Sequence, residues 1–233
     1  MKSKNKPLIS VIVPAYNEEK YIHRALSSIR AQTFKDYEII VVADSCTDKT
    51  AEIAKGFGCK VINVKTRNVG KNRNIGASKA KADVLVFLDA DVTVSRGYLR
   101  EVHNAVKKGY GCGRPYYFSE SSNFIIKNLW FFNNIAGLQY YMHTCFVTKQ
   151  CFDLAKGYPE GFNNCMDDCI FSDEVTKVAK SCVVNAKAFN SDRRFRKIGL
   201  LKELLFQLKA TIDYFVVYKA LGIKITPSWS DFR

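Results

Sequence analysis

Asp83-Val84-Leu85-Val86-Phe87-Leu88-Asp89-Ala90-Asp91 sets the plan of this chain. Val84 to Leu88 is an unbroken apolar run of β-forming residues, as expected of a strand buried on both faces of a parallel sheet. The run ends in two carboxylates one residue apart. At the C-terminal edge of such a sheet, where open α/β proteins bind ligands, Asp89 and Asp91 both reach the mouth of the crevice. Two acids so placed repel each other unless a cation sits between them, and a hard divalent ion with oxygen ligands suits the pair. On these residues alone, the alternative is that Asp89 caps a helix opening near Ser95 and Asp91 is a solvated loop acid.

The chain before this stretch alternates in the same manner. Leu8 to Val13 reads as a short strand stopped by Pro14, and Asn17-Glu18-Glu19 opens a helix with Ile22, Ala25, Leu26 and Ile29 at helical spacing. Tyr37 to Ala43 is a second strand, Thr50 to Gly56 a helix, Lys60 to Val64 a third strand, and Asn68-Val69-Gly70 turns into a helix through Lys79. Strands and helices of these lengths imply βαβ units, a doubly wound and mostly parallel sheet, and right-handed crossovers. Each strand ends in polar residues: Pro14-Ala15-Tyr16-Asn17-Glu18, Asp44 to Asp48, Asn68 with Arg73, then Asp89 and Asp91. Capping alone does not explain so many acids and amides on one edge, so a ligand site is expected there. No Gly-x-Gly-x-x-Gly follows the first strand and no phosphate loop of the Gly-Lys-Ser/Thr type is present. Phosphate charge would therefore be met by a metal and basic side chains, with Lys71 and Arg73 as donors and a second-strand acid accepting from a base or ribose.

Bulk properties narrow the class. The 233 residues are 47% hydrophobic and 25% charged, and 36 Lys and Arg against 22 Asp and Glu leave a net charge of +14. An anionic partner is implied: nucleotide phosphates, a lipid headgroup or nucleic acid. Nucleic acid is disfavoured because the basic residues are spread along the chain without a stacking platform. The charged N-terminus lacks an apolar segment of signal-peptide type. The eight cysteines form no Cys-x-x-Cys pair, so free thiols in a reducing, cytoplasmic compartment are expected.

Four motifs in register then resemble family 2 glycosyltransferases: Pro14-Ala15-Tyr16-Asn17-Glu18, Val41 to Thr50 around Asp44, Asn68-Val69-Gly70-Lys71-Asn72-Arg73-Asn74-Ile75-Gly76, and Phe87-Leu88-Asp89-Ala90-Asp91. The resemblance implies a GT-A fold, a Rossmann-like sheet that binds a nucleotide-diphosphate sugar with a divalent metal, Mg²⁺ or Mn²⁺, and inverts the anomeric centre. By position it implies Pro14, Ala15, Tyr16 and Glu18 around base and ribose, and Asp44 and Arg73 on the base. It also implies Asp89 at the ribose or sugar and Asp91, beside Asp89, on the metal. The family usually shows two acids after the second strand, whereas here the first is Ala43, which bears on the base; a UDP-linked donor is the expectation.

Past Asp91 the pattern changes. Ser95 to Lys107 reads as a helix and Gly111 to Pro115 as a strand, followed by the apolar stretch from Phe124 to Met142. Its interrupting Lys127, Asn128, Asn133, Asn134 and Gln139 make it a poor spanning helix; it is either a core helix or one lying at a membrane interface. Cys145 to Thr148 is a strand and Gln150 to Lys156 a helix. Gly157-Tyr158-Pro159-Glu160-Gly161-Phe162, then Met166-Asp167-Asp168, resembles the family's Gly-Gly-Phe segment and acidic pair, with Asp168, ahead of Asp167, in the place of the catalytic base. Displacement with inversion needs a carboxylate to take the acceptor's proton. The other reading of both acids is the first turn of a helix running to Val178, with Asp173 and Glu174 solvated. After a strand at Ser181 to Asn185, the cluster Ser191-Asp192-Arg193-Arg194-Phe195-Arg196-Lys197 is either a solvated turn or a closing loop whose Arg193 or Arg194 forks onto a diphosphate. Ile198 to about Leu221 is a basic amphipathic helix.

Together these give a nucleotide-sugar half over residues 1–115, an acceptor half over 116–195 and a C-terminal amphipathic tail over 196–233. The expected acceptor is a polyprenyl phosphate or a glycan, with attachment to the cytoplasmic membrane face. Competing readings are a sugar-1-phosphate nucleotidyltransferase, which should carry a glycine-rich first loop, and a catalytically inactive nucleotide-sugar binder or membrane scaffold.

Overall fold

Residues 6–135, 143–160 and 167–221 are described by the computed structural model. The alternating segments form β1 (Ile9–Ala15), α1 (Ile22–Arg30), β2 (Tyr37–Asp44), α2 (Thr50–Gly56), β3 (Lys60–Val64), α3 (Val69–Ser78) and β4 (Val84–Phe87). These strands are parallel and lie in the order β3-β2-β1-β4. The chain winds outward from β1 to β3, then returns to the opposite side of β1. A topological switch point therefore lies between the C-terminal ends of β1 and β4.

The second half continues the same sheet. It comprises β5 (Thr93–Val94), α4 (Tyr98–Lys107), β6 (Cys112–Ser119), α5 (Phe124–Ile135), β7 (Cys145–Thr148), α6 (Lys149–Leu154), α7 (Asp167–Val178) and β8 (Ser181–Asn190). β7 pairs antiparallel with β4 and extends the sheet to eight strands, β3-β2-β1-β4-β7-β6-β8-β5. Then follow α8 (Arg193–Ile198) and α9 (Leu200–Ile212), the latter continuing as a π-helical stretch over Asp213–Ala220. The segment 136–142, the pair Gly161-Phe162 and the end of the tail lie outside the described residues.

Alternation along the strands makes two cores. Ile9, Val11 and Val13 of β1 pack with Ile39, Val41 and Val86 beneath α1 and α4. Ile12, Ile40, Val42, Leu85 and Phe87 point the other way, to Ala77 of α3, Phe152 of α6 and Phe171 and Val175 of α7. Both faces are covered over β1, β2 and β4, which is why their runs are apolar, whereas β3 at the sheet edge is partly exposed. α1 buries Ile22, Ala25, Leu26 and Ile29 as its spacing requires.

Several boundaries differ from the sequence reading: β6 and β8 run on to Ser119 and Asn190, past Pro115 and Asn185. The first helix begins at Ile22 rather than near Asn17, because Asn17 takes a left-handed φ of 52°. The helix expected from Ser95 begins at Tyr98, and no side chain caps it. The C-terminal helix begins at Leu200, after Gly199 with φ 86°, and the basic cluster before it forms a short helix of its own, α8, instead of a turn or loop.

α3 lies close to the sheet. A Cβ built on Gly76 would come 2.3 Å from Ile12 Cγ2, whereas one on Gly56 meets nothing within 4 Å. Gly76→Ala should therefore cost about 1–3 kcal/mol in urea unfolding, and Gly56→Ala should stay within about 0.5 kcal/mol of the parent.

Candidate active site

Among the described residues, three of the four with positive φ other than glycine follow the first three strands: Asn17 after β1, Ser45 after β2 and Arg67 after β3. Left-handed backbone costs of order 1–3 kcal/mol at each such residue and persists where surrounding contacts enforce it. Here the enforcing contacts are visible. Asn17 Oδ1 accepts from Thr47 N at 2.8 Å, Thr50 Oγ1 accepts from Glu18 N at 2.7 Å, and Asp48 accepts from Glu19 N at 3.0 Å. The exits of β1 and β2 are thus tied together on the edge where the acids converge.

Asp44 is buried and fully engaged. Ser45 Oγ and Thr66 N donate to Oδ1, and Thr66 Oγ1 and Asn72 Nδ2 to Oδ2. Burial works against its charge, but these donors outweigh it and hold the carboxyl below its usual range. Asp44 therefore clasps the loop after β3 to α3, its acceptor positions already taken.

Arg73 occupies the middle of the edge. Nη2 donates to Asp89 Oδ1 at 2.8 Å and Nη1 to Asp167 Oδ2 at 2.6 Å, and the guanidinium lies 4.9 Å from the Tyr158 ring centroid. Side chains 4% and 6% exposed make the Arg73–Asp167 contact a buried ion pair. The same helix grips the segment before α7. Asn74 Nδ2 donates to Tyr158 O and Asn74 Oδ1 accepts from Tyr158 N, while Asn68 Nδ2 donates to Glu160 O. Gly70 is obligatory here, since a Cβ would stand 2.7 Å from Pro159 O.

Asp167 and Asp168 form the first turn of α7. Burial, the Asp167 charge and the Asp89 charge outweigh Arg73 and push Asp168 up to about 7. Burial raises Asp167 as well, against the pull of Arg73. Asp168 Oδ1 accepts from Cys169 N at 2.9 Å. A carboxylate that holds its proton near neutrality is suited to exchange it during a reaction.

Asp91 faces a different arginine. Arg193 Nε lies 3.1 Å from Asp91 Oδ2, and the same guanidinium forks onto Glu18 at 2.5 and 3.0 Å while stacking over Tyr21. Burial, opposed by Arg193 and reinforced by Asp89 and Glu18, pushes Asp91 up to about 6. Acids that raise one another's proton affinity are a place for a cation. Among the described residues no group of three or more His, Cys, Asp and Glu is arranged to hold a metal alone. A divalent ion held by one or two carboxylates and completed by substrate phosphates needs no such cage.

The remaining sequence candidates fall around this centre. Pro14 and Ala15 are buried at the end of β1 and Tyr16 is half-buried beyond them; Lys71 is exposed in the first turn of α3. Arg194 turns away from the acids to pair with buried Glu203 of α9 at 3.0 Å. Asp173, read as solvated, accepts from the Tyr214 hydroxyl and pairs with Lys219 at 2.8 Å. The sequence reading put Asn68 on this edge without its hold on Glu160, and gave no role to Asn74 and Tyr158 of the same junction or to His143, stacked on Tyr117 and 3.0 Å from Asn190. The available signal was Asn68, Gly70, Arg73 and Asn74 crowded into one short helix. A cleft lined by Leu8, Asp83 and His103 opens at the N-terminal ends of β1 and β4, the wrong edge for these acids.

With the geometry in place, residues 10–158 match the family model of glycosyl transferase family 2. This chain belongs to glycosyl transferase family 2. It is 32% identical over 141 residues to glycosyltransferase GlyA of Streptococcus pneumoniae serotype 4, covering 57% of this chain and 19% of the relative. Its GT-A fold is shared by solved glycosyltransferase structures. S. aureus TarS 1-349 in complex with UDP-GlcNAc has a TM-score of 0.66 at 20% identity, over 79% of this chain and 58% of that one. The mannosyltransferase PcManGT from Pyrobaculum calidifontis, in complex with GDP-Man and Mn²⁺, has a TM-score of 0.67 at 18% identity, over 96% and 67%. The chain spans from 19% to 42% of the length of the first curated relatives it matches.

Removing one partner of a buried pair leaves the other charge uncompensated. Arg73→Met should cost about 3–5 kcal/mol in chemical denaturation. Arg24→Met, which removes the more exposed Arg24–Glu120 pair, should cost under about 1 kcal/mol.

Proposed function

We propose that the chain transfers a sugar, with inversion, from a UDP-linked donor to a hydroxyl of a glycan or lipid-linked acceptor. The observation that carries this reading is the Arg73 bridge, which holds Asp89 at the donor edge and the Asp167-Asp168 turn on one guanidinium. Pro14, Ala15, Tyr16 and Glu18 would line the base and ribose. Asp44 shapes that wall through Thr66 and Asn72, and Asp89 faces the ribose or sugar. Asp168 is the base: it takes the acceptor hydroxyl's proton as the oxygen attacks the anomeric carbon, on the face opposite the departing diphosphate. Asp167, fixed by Arg73, orients the turn that carries it.

Asp91, with Asp89 beside it, fits a divalent cation that completes its shell with donor phosphates. Mg²⁺ or Mn²⁺ bound there would neutralise charge on the leaving nucleotide. Arg193 already places a guanidinium against Asp91 and Glu18, so α8 would bring a basic group to the diphosphate, with Lys71, exposed in the first turn of α3, as a second donor. In this reading residues 1–115 serve the donor and 116–195 the acceptor, although both share one sheet. The UDP and UDP-GlcNAc complexes of TarS support the donor class. The seven described cysteines are free, which suits a reducing cytoplasmic compartment.

The test is Asp168→Asn. The variant should keep the thermal shift produced by UDP with Mn²⁺ while turnover falls about 10²–10⁴-fold. Because the base form of Asp168 exists above its pKa near 7, parent turnover should climb as pH rises from about 6 to about 8. Equal loss of the UDP shift and of turnover would make Asp168 structural.

A further inference from the structure

α9 has two faces of opposite character. Toward the protein, Glu203 and Tyr214 are each 2% exposed, Glu203 paired with Arg194 and Tyr214 with Asp173. Toward solvent, Leu201, Leu205, Leu208 and Ile212 are 70%, 57%, 57% and 48% exposed. Their spacing of four, three and four residues draws one straight stripe along the helix. Val216 in the π-helical stretch and Leu221 just past it are also exposed. Scattered exposed leucines are ordinary, but a contiguous stripe of this length marks a contact surface.

The charges beside the stripe say what it contacts. Residues 193–221 hold seven Lys and Arg against two acids, Glu203 and Asp213. Glu203 and Arg194 offset each other, as do Asp213 and Lys209, and Arg193, Arg196 and Lys219 pair with acids outside this segment; the chain as a whole keeps a net charge of +14. Lys202 and Lys209 are exposed on the flank of the stripe, and Arg196 and Lys197 are exposed just before it. Among the described residues no helix is long and apolar enough to cross a bilayer. A second copy laid on this face would bring like-charged flanks together, whereas an anionic lipid surface complements them.

We propose that the outer face of α9 docks on an anionic lipid surface, with the helix in the interfacial plane, the leucine stripe among the acyl chains and the lysines at the headgroups. α8 links this face to the candidate active site, since its Arg194 holds α9 and its Arg193 holds Glu18 and Asp91. The docking bears on the lipid-linked acceptor proposed above, but binding is read without donor, metal or turnover, so its failure is distinguishable from failure of the transfer reading.

The experiment is vesicle flotation of the full chain, with phosphatidylcholine alone and with added phosphatidylglycerol. The chain should float with the phosphatidylglycerol vesicles and release as salt rises. Leu201→Ser/Leu205→Ser/Leu208→Ser and Lys202→Glu/Lys209→Glu should each weaken binding by about tenfold or more. All five positions are exposed, and circular dichroism melts check folding; if the serine variant melts early, the glutamate variant decides. Absence of phosphatidylglycerol-dependent binding, or binding that neither set of substitutions changes, would overturn the proposal. So would a dimer in light scattering that the serine substitutions abolish, which would give the stripe to a second copy.

Discussion

One guanidinium, that of Arg73, joins the end of β4 to the start of α7. Asp89 and Asp167 are far apart in sequence and repel each other; without a positive charge between them the turn carrying Asp168 would have no reason to lie beside the donor edge. The guanidinium can sit there because α3 is pinned at both ends. Gly76 presses against Ile12 of the sheet, and Gly70 with Asn68 and Asn74 presses against residues 158–160. Tyr158 covers the guanidinium and itself stacks on Phe171, with ring centroids 4.0 Å apart, so the polar bridge stands on the second core.

A second arginine makes a parallel arrangement on the other side of the crevice. Arg193 lies against Glu18 and Asp91, joining α8 to the β1 exit and to the acid after β4. The acids of the switch point are therefore sorted between two guanidiniums from distant parts of the chain. Asp91 is pushed up to about 6 by burial, and by Asp89 and Glu18, despite Arg193, so a further positive charge beside it would favour its ionised form.

Much of this was legible in the sequence because it depends on local pattern. The apolar runs of β1, β2 and β4 read as strands buried on both faces, and the bounds of α2 and β3 fall where their residues predicted. The gathering of polar residues on one edge follows from parallel order alone. What a pattern cannot carry is pairing across the fold. Arg73 read as a donor to a base, yet its guanidinium goes to Asp89 and Asp167; Asp44 read as an acceptor for a ligand, yet Thr66, Asn72 and Ser45 fill it. Glu203 read as one more charge on an amphipathic helix, yet it points inward to Arg194. The basic cluster read as a turn or loop, yet Arg193–Ile198 is a helix, set off from α9 by Gly199.

The coupling of Asp89 to Asp167 through their shared guanidinium is measured most directly by a double-mutant cycle. Asp89→Asn, Asp167→Asn and the double variant would be compared in equilibrium urea unfolding. Two carboxylates on one arginine should be non-additive, with an interaction energy of about 0.5–3 kcal/mol. Strict additivity, within about 0.3 kcal/mol, would mean that Arg73 does not join the two halves, and the placement of Asp168 beside the donor edge would have lost its physical basis.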